Sequence, residues 1–395
     1  MDLGNRKVQF LSLSIIVIIL FSIFTYYAID NHSKDKKTII NNEKIDILES
    51  YNLSKDWLIT NINSQGYFNY YYDPINDESS TSNNMIRQLM ASRVLSELAQ
   101  KNSSLKNLNK KNIEYIFSNW YKEDGDYGYI YFSSKSKLGA MAMMIRTIIY
   151  SPYFENYSTE AKKLVNTVLF LQNNDGSFEP WYIEPAYSYD KEYLLTFYSG
   201  EAILALVEYY EKTKDQNILD SAVFSQNFYI KKYVENLSKN YYPAYVPWHT
   251  QSLNKIYKIT GEKKYADAIF VLNDELLKIQ DKKNNETLGR FYNISTPQYG
   301  SPHSSSDAVY TEGLTYAYEI ADLIDDKNHK EKYLEAIRIG SLNLIKLQYN
   351  ESNSKGFIKP NKIIGAIRIN KDNSDIRVDT TQHTIDAFGK ILEIF

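Results

Sequence analysis

Apolar residues recur along most of the chain at intervals of three and four positions, the spacing of amphipathic helices. In one set of segments, a face rich in Lys, Glu and Asn suits an outer layer. These segments are residues 44–62, 105–120, 157–172, 216–236, 262–280 and 329–348. The intervening segments are more apolar and contain small residues, which suits an inner layer. They are residues 84–100, 135–150, 197–212, 247–260, 306–324 and 379–394. This alternation predicts helices in outer–inner pairs.

A polar turn that contains glycine and an aromatic residue follows the outer segments. Its five copies are Gln65-Gly66-Tyr67-Phe68, Asp126-Tyr127-Gly128-Tyr129, Asp175-Gly176-Ser177-Phe178, Leu288-Gly289-Arg290-Phe291 and Lys355-Gly356-Phe357. A copy without glycine lies at residues 241–245, and neighbouring copies are about 46 to 67 residues apart. Such a period indicates stacked units rather than independent domains. Because the first predicted helix is outer and the last is inner, the pairs can close into a ring. We therefore predict an all-α (α/α)6 toroid over residues 43–395, with tyrosine-rich loops or short hairpins between helices.

A separate apolar segment precedes the predicted toroid. Val8–Ala28 holds 21 residues without a charge, and a helix needs about 20 to cross a bilayer. The segment is long for a signal peptide, and Tyr26-Tyr27-Ala28 is a poor cleavage site, which favours an uncleaved transmembrane signal anchor. Residues 1–7 are then a short cytoplasmic tail and residues 29–42 a polar tether.

The orientation of this anchor is not decided by its flanking charges, because basic residues lie on both sides of it. The short N-terminal tail and eight N-x-S/T sequons favour a toroid outside the cytoplasm. We therefore predict a single-pass protein of the cell membrane with an extracytoplasmic C-terminal domain.

Composition narrows the classes of partner and of chemistry. The net charge of −3 provides no basic excess for phosphates, which argues against a nucleic-acid partner. The absence of cysteine excludes disulfides, thiolate nucleophiles and cysteine metal ligands. The 36 tyrosines are consistent either with an A/T-biased genome or with an aromatic-lined groove.

Several segments resemble those of known α/α toroids. Phe170-Leu171-Gln172-Asn173-Asn174-Asp175-Gly176-Ser177-Phe178 resembles the L-x-x-Q-x-x-D-G-S-F turn of these proteins. Tyr198-Ser199-Gly200-Glu201-Ala202, and Tyr257 followed by Thr260-Gly261-Glu262, resemble their helix-pair units. The group includes six-hairpin glycosidases, sugar epimerases, polysaccharide lyases and the terpenoid-cyclase fold. The resemblance implies a toroid over about 340 residues, but such a fold does not determine the reaction.

Polar residues collect where the long loops from outer to inner helices meet the N-termini of the inner helices. Asn84, Arg87, Lys135 and Lys137 lie at the first two of these N-termini. The site residues that we predict there or in the adjoining loops are Tyr198, Glu201, Trp248, His249, Arg290, His303, Asp307, Glu312, Arg368, Arg377, Asp379 and His383.

Several of these residues have a structural alternative. Asp307 can be a helix-capping acid, Glu201 a packing carboxylate, and Arg377 with Asp379 an internal ion pair. Trp248 can be a wall residue, and His249 a half-buried histidine with satisfied hydrogen bonds.

Two chemistries fit the predicted site. The third and sixth inner helices face each other in a ring of six, which would place Glu201 opposite Asp379 and His383. A protonated and an ionised carboxylate across a cleft are the requirement for glycoside hydrolysis. Alternatively, His383 as base with Tyr198 as acid would suit a lyase or an epimerase. Arg290, Arg368 and Arg377 would then bind a uronic carboxylate.

We therefore predict a membrane-anchored, extracytoplasmic carbohydrate-active enzyme acting on a polysaccharide or cell-envelope glycan as hydrolase, lyase or epimerase. The alternatives are a non-catalytic toroid that binds glycan or peptide, and a terpenoid or prenyl enzyme. We predict no cofactor and no metal site, since the spacing of His249, His303 and Asp307 is not diagnostic. We also predict that His383 is buried near the mouth, within hydrogen-bond reach of an acidic side chain.

Overall fold

A computed structural model of the chain describes residues 43–394. Of the described residues, 50–394 belong to one compact unit and 43–49 to another. The predicted tail, anchor Val8–Ala28 and tether lie outside the described residues. Within residues 43–394, no helix has the length and apolar character needed to cross a membrane. Apart from residues 43–49, the features below lie in the larger unit.

Within residues 43–394, six outer and six inner helices alternate, each overlapping its predicted segment, although the third inner helix begins six residues earlier than predicted. The outer helices are α1 (residues 43–60), α3 (Lys106–Asn119), α5 (Ser158–Phe170), α7 (Gln216–Ile230), α9 (Lys263–Leu276) and α11 (Lys327–Leu347). The inner helices are α2 (Met85–Lys101), α4 (Leu138–Ile149), α6 (Lys191–Thr213), α8 (Val246–Thr260), α10 (Ser304–Leu323) and α12 (Val378–Ile394).

The inner helices form a closed ring. Each of them packs against the next along the chain, and α12 packs against α2. Local sequence determines where many of them begin. The side chains of Asn84 and Asp190 accept hydrogen bonds from backbone N–H groups at the starts of α2 and α6, and thereby cap both helices. The predicted α/α toroid is confirmed in the described residues.

The turn glycines explain the repeat seen in the sequence. Gly176 has a φ of +91°, and a Cβ there would lie 3.0 Å from the backbone oxygen of Phe224 on α7. Gly289 has a φ of +90°, and its Cβ would lie only 1.9 Å from the backbone oxygen of Ile339 on α11. Each turn therefore packs directly on the outer helix of the following pair, which only glycine permits.

The sixth turn lies later than the sequence suggested. Gly356 has no atom within 4 Å of its Cβ position, whereas a Cβ on Gly365 would lie 2.1 Å from the backbone oxygen of Leu53 on α1. Ile367 forms a β-bridge with Gln348, as Phe178 does with Gln172. Gly365, rather than Gly356, therefore packs the last pair against the first.

Short strands join the long loops at the mouth of the ring. The strands are β1 (Tyr71–Asp73), β2 (Glu78–Ser79), β3 (Tyr121–Asp124), β4 (Tyr127–Ile130), β5 (Ser136–Lys137), β6 (Trp181–Ile183), β7 (Arg368–Asn370) and β8 (Asn373–Arg377). A four-stranded sheet in the order β2-β1-β8-β7 ties the first long loop to the last. Tyr71 lies opposite Arg377 in this antiparallel sheet, so strand pairing positions the start of α12 at the mouth.

Candidate active site

A cavity of about 450 Å³ opens among the N-terminal ends of the inner helices. Its size falls within the usual range of about 300–1,000 Å³ for small-molecule sites. Seven predicted site residues line it: Tyr198, Glu201, Trp248, His303, Arg377, Asp379 and His383. The ring therefore brings residues from α6, α8, α10 and α12 into one cavity.

Glu201 is a buried carboxyl group with an unsatisfied oxygen. It lies in the third turn of α6, its residue is 1% exposed, and its Oε2 has no hydrogen-bond partner among residues 43–394. Burial raises the pKa of Glu201 to about 8, against the opposing charges of Arg146 and Lys137. Glu201 is therefore mostly protonated at neutral pH.

Gly139 makes room for this carboxyl group. A Cβ on Gly139, in the first turn of α4, would lie 2.4 Å from Oε2 of Glu201 and 2.7 Å from Cδ1 of Tyr198. The small-residue face of α4 therefore lets α6 approach closely enough to bury Glu201 beside the cavity.

Asp379 is held in the opposite protonation state. Its two oxygens accept hydrogen bonds from Nε (2.5 Å) and an Nη (2.7 Å) of Arg377, and Nε of Arg87 lies 3.0 Å away. Burial alone would raise the pKa of Asp379, but hydrogen bonding and the charges of both arginines lower it to about 2. The ion pair between Arg377 and Asp379, an alternative in the sequence, is thus present and lines the cavity.

Two neutral imidazoles complete the polar wall. Burial and the charge of Arg377 lower the pKa of His303 to about 4, and its Nδ1 accepts a hydrogen bond from the Ser305 N–H. Burial lowers the pKa of His383 to about 3, and its ring lies 5.9 Å from that of Trp248. Both rings are uncharged at neutral pH.

The predicted acidic partner of His383 is not found. Among residues 43–394 its recorded hydrogen bond joins Nδ1 to the amide of Gln382, at 3.4 Å. Asp379 is engaged by Arg377 and Arg87, while Asp386 accepts hydrogen bonds from Arg93 and Gln382. Asp379 and Asp386 are thus already bound by other groups, and Glu312, which has an oxygen within 4.8 Å of a ring nitrogen of His383, forms no hydrogen bond with it among these residues. His383 is nevertheless buried near the mouth, as predicted.

Comparison with known proteins identifies the family. The sequence model of the β-L-arabinofuranosidase GH127 catalytic-domain family matches residues 72–322 of this chain. This chain belongs to that family. A search of curated proteins found no match.

Solved structures share the fold of this GH127 family member at low sequence identity. An unsaturated glucuronyl hydrolase specific for heparin matches with a TM-score of 0.60 and 10% identity, over 88% of this chain and 97% of that one. A GH76 α-mannanase from Bacteroides thetaiotaomicron matches with a TM-score of 0.62 and 10% identity, over 88% and 96%. A D-mannose isomerase matches with a TM-score of 0.63 and 14% identity, over 91% and 98%. The resemblance to six-hairpin α/α toroids is confirmed.

Two predicted site residues of the GH127 family member are structural. His249 lies behind the cavity wall, 3.1 Å from Oγ of Ser199 and 3.2 Å from Nε2 of Gln226. Asp307 accepts hydrogen bonds from the Phe291 N–H (2.7 Å) and from Nδ2 of Asn343 (2.9 Å), and so fixes the fifth turn to the ring. Neither lines the cavity, because each points toward the outer layer.

Three further predicted site residues, Glu312, Arg290 and Arg368, do not line the mouth cavity. Glu312, on α10, lines a separate cavity among the C-terminal ends of the inner helices. Arg290 packs over the ring of Tyr292, at 5.2 Å, and Arg368 over Tyr349, at 4.6 Å. These arginines contact neighbouring loop or hairpin residues and do not line the mouth cavity.

The structure adds cavity residues that the sequence did not single out as site residues. Arg87 and Lys137 lie at the starts of α2 and α4, where the sequence already placed them, although they were not among the predicted site residues. Other polar or aromatic additions come from loops and first turns: Asn84, Tyr193, Phe197, Tyr242, Tyr299 and Tyr310. The tyrosines on loops could not be assigned to the wall without the path of the chain.

One group of described residues has the spacing of metal ligands. Ligand atoms of Glu312, His383 and Asp386 lie within 4.8 Å of one another. The group differs from the histidine–aspartate set considered in the sequence. Asp386 is also bound by Arg93, which already neutralises part of its charge. These three residues could coordinate a metal only in competition with that arginine.

Proposed function

We propose that this protein hydrolyses a glycosidic bond in the mouth cavity, with Glu201 as the general acid and Asp379 as the ionised partner. The supporting observation is that two carboxyl groups lining one cavity have pKa values of about 8 and about 2. Carboxyl groups whose environments separate their pKa values are the arrangement that glycosidases use. Membership of the GH127 family supports the same reaction class.

The neighbouring groups have supporting parts in this mechanism. Glu201 donates its proton to the leaving-group oxygen, and Asp379 either activates water or attacks the anomeric carbon. Tyr198 and Trp248 present amphipathic or apolar surfaces for the sugar face. The neutral rings of His303 and His383 can orient hydroxyl groups without adding charge.

The test uses the full chain in detergent with aryl β-L-arabinofuranosides and a panel of plant and cell-envelope polysaccharides, followed by release of the aryl group or of reducing ends. We expect Glu201→Gln to lower kcat/KM by about 10² to 10⁴, the usual contribution of a general acid. Glu211→Gln, an exposed change at the far end of α6, is the matched control and should be neutral. Proton NMR of the first product gives the anomeric configuration, which separates the two roles of Asp379.

Retained turnover in the Glu201 variant would contradict the proposed acid. Binding of glycans without turnover by the wild type would favour the non-catalytic toroid. Ultraviolet absorbance of unsaturated products would favour a lyase, with His383 and Tyr198 as the residues to substitute next.

We propose further that Val8–Ala28 anchors the enzyme in the cell membrane with the toroid outside, where it meets an extracellular or cell-envelope glycan. The uncharged run of 21 residues supports this proposal. Protease added to intact cells should digest the toroid if this topology is correct. Protection of the toroid until the cells are lysed would contradict it.

A further inference from the structure

The mouth cavity has an excess of positive charge. Its charged lining residues are Arg87, Lys137, Arg377, Asp379 and Glu201. With Glu201 protonated, three cations face one ionised carboxylate, whereas the chain as a whole has a net charge of −3. The cavity therefore has the sign opposite to that of the protein.

Lys137 is the cation with the fewest partners. It is half-buried at the end of β5, and no hydrogen bond or ion pair of its side chain is recorded among residues 43–394. Its ammonium group lies 5.5 Å from the centre of the Trp181 ring. Burial, together with the charges of Lys135 and Arg87, lowers the pKa of Lys137. A neighbouring anion would relieve both effects.

Arg87 offers a second donor in the same cavity. Its Nε lies 3.0 Å from Asp379, and one Nη donates a hydrogen bond of 2.6 Å to the hydroxyl of Tyr70. The other Nη has no recorded partner among the described residues, and the side chain is 32% exposed. Arg377 directs Nε and one Nη to Asp379, and the same Nη also lies 3.4 Å from Oγ of Ser305.

We propose that the glycan substrate carries an anionic substituent, a carboxylate, sulfate or phosphate group, which binds between Lys137 and Arg87. The inference rests on the proposed glycosidase function and specifies its substrate class. An ammonium and a guanidinium together provide charge-assisted hydrogen bonds to such a group. The N-termini of α2 and α4 add partial positive charge at the same place.

The experiment is calorimetric titration of the full chain with size-matched oligosaccharides: a uronic-acid series, a sulfated series, a phosphorylated series and a neutral series. At low salt we expect at least one anionic series to bind about tenfold or more tightly than the neutral one. The advantage should shrink as salt rises. The series that binds best identifies the anionic group.

Variants locate the effect at the proposed residues. Lys137→Gln should remove the preference for the anion, and Lys137→Arg should retain most of it. Lys122→Gln, which removes an exposed lysine from β3 outside the cavity, is the matched control and should bind like the wild type. Circular dichroism confirms that each variant is folded.

Equal binding of neutral and anionic glycans, no binding of any anionic series, or an unchanged preference in Lys137→Gln would overturn the inference. Its failure is separable from that of the proposed function. Glu201-dependent hydrolysis of a neutral glycoside, without preference for anions, would leave the glycosidase standing and remove only the anionic substrate.

Discussion

The two ends of the ring differ in how they treat buried charge. At the C-terminal ends of the inner helices, Arg146 forms a two-point ion pair with Glu208, at 2.6 and 3.1 Å, and Arg93 binds both Glu97 and Asp386. At the N-terminal ends, Lys137 lacks an ionic partner and Glu201 has an unbonded oxygen. Groups of the first kind stabilise the fold, whereas groups of the second kind are available to a ligand.

The protonation of two glutamates on α6, Glu208 and Glu201, follows the same division. Burial would raise the pKa of Glu208, but the charge of Arg146 lowers it, so this carboxylate stays ionised. Burial raises the pKa of Glu201 to about 8 because Arg146 and Lys137 only partly compensate for it. Glu312, at the C-terminal end, does not follow the division: its Oε2 has no partner, and burial beside Asp386 raises its pKa strongly.

The largest expected effect comes from breaking the Arg146–Glu208 ion pair at the C-terminal ends of the inner helices, which we call the paired end. Arg146→Gln leaves Glu208 buried without its partner, so we expect the free energy of unfolding to fall by about 3–5 kcal/mol. Both side chains are under 5% exposed, which prevents water from compensating. Denaturant titration measures the change, and Lys212→Gln, an exposed substitution at the same end of α6, should stay within about 0.5 kcal/mol. A loss below about 1 kcal/mol for Arg146→Gln would contradict the comparison.

The next largest expected effect is the pH dependence of the stability that Glu201 contributes at the mouth. Glu201 binds a proton more tightly in the folded state, where its pKa is about 8, than in the unfolded chain, where its pKa is near the ordinary glutamate value of 4.5. Its contribution to stability is therefore fully present below about pH 4.5 and is lost as the pH rises toward 8. The stability of Glu201→Gln relative to wild type should increase over this interval by a few kcal/mol.

Denaturant titrations of both proteins at several pH values measure this difference, with Glu211→Gln as control. A difference that stays constant with pH would show that Glu201 titrates normally.

The smallest expected effects come from substituting one glycine at each end of the ring, Gly139 at the mouth and Gly389 at the paired end. Gly139→Ala places a methyl group 2.4 Å from Oε2 of Glu201, so we expect a loss of about 1–3 kcal/mol from overpacking, together with reduced activity. At the paired end, the Cβ of Gly389→Ala would lie 3.4 Å from the Tyr51 ring, an ordinary contact. That substitution should stabilise α12 by roughly 0.5–1 kcal/mol. Thermal unfolding with an activity assay tests both, and equal effects at the two ends would contradict the difference.

The fold was predictable from sequence because helix pairing depends on local periodicity. Short stretches of sequence are enough to identify the outer helices, the inner helices and turns such as the one at Gly176. The turn at Gly365 was missed because the contact that requires glycine is made with Leu53, far away in the sequence. A contact with a backbone segment far away in the sequence cannot be predicted from the residues around the glycine.

The sequence predicted where the site lies, but not all of the contacts that its residues make. Position at the start of an inner helix correctly brought Glu201, Asp379 and His383 to one cavity. The same criterion could not show that His249 would contact Gln226 on α7, or that Glu312 would line the other cavity. The protonation of Asp379 also depends on Arg87, which is far from it in the sequence, as well as on the neighbouring Arg377.

The most direct test of the central claim is the titration of the carboxyl group of Glu201. Carbon-13 NMR of the full chain with labelled glutamate side chains follows it, and Glu201→Gln assigns its signal. We predict a midpoint near pH 8, with Asp379, labelled separately, remaining ionised above about pH 4. A Glu201 midpoint near 4.5 would mean that both carboxyl groups are ionised at neutral pH, and would contradict its assignment as the general acid.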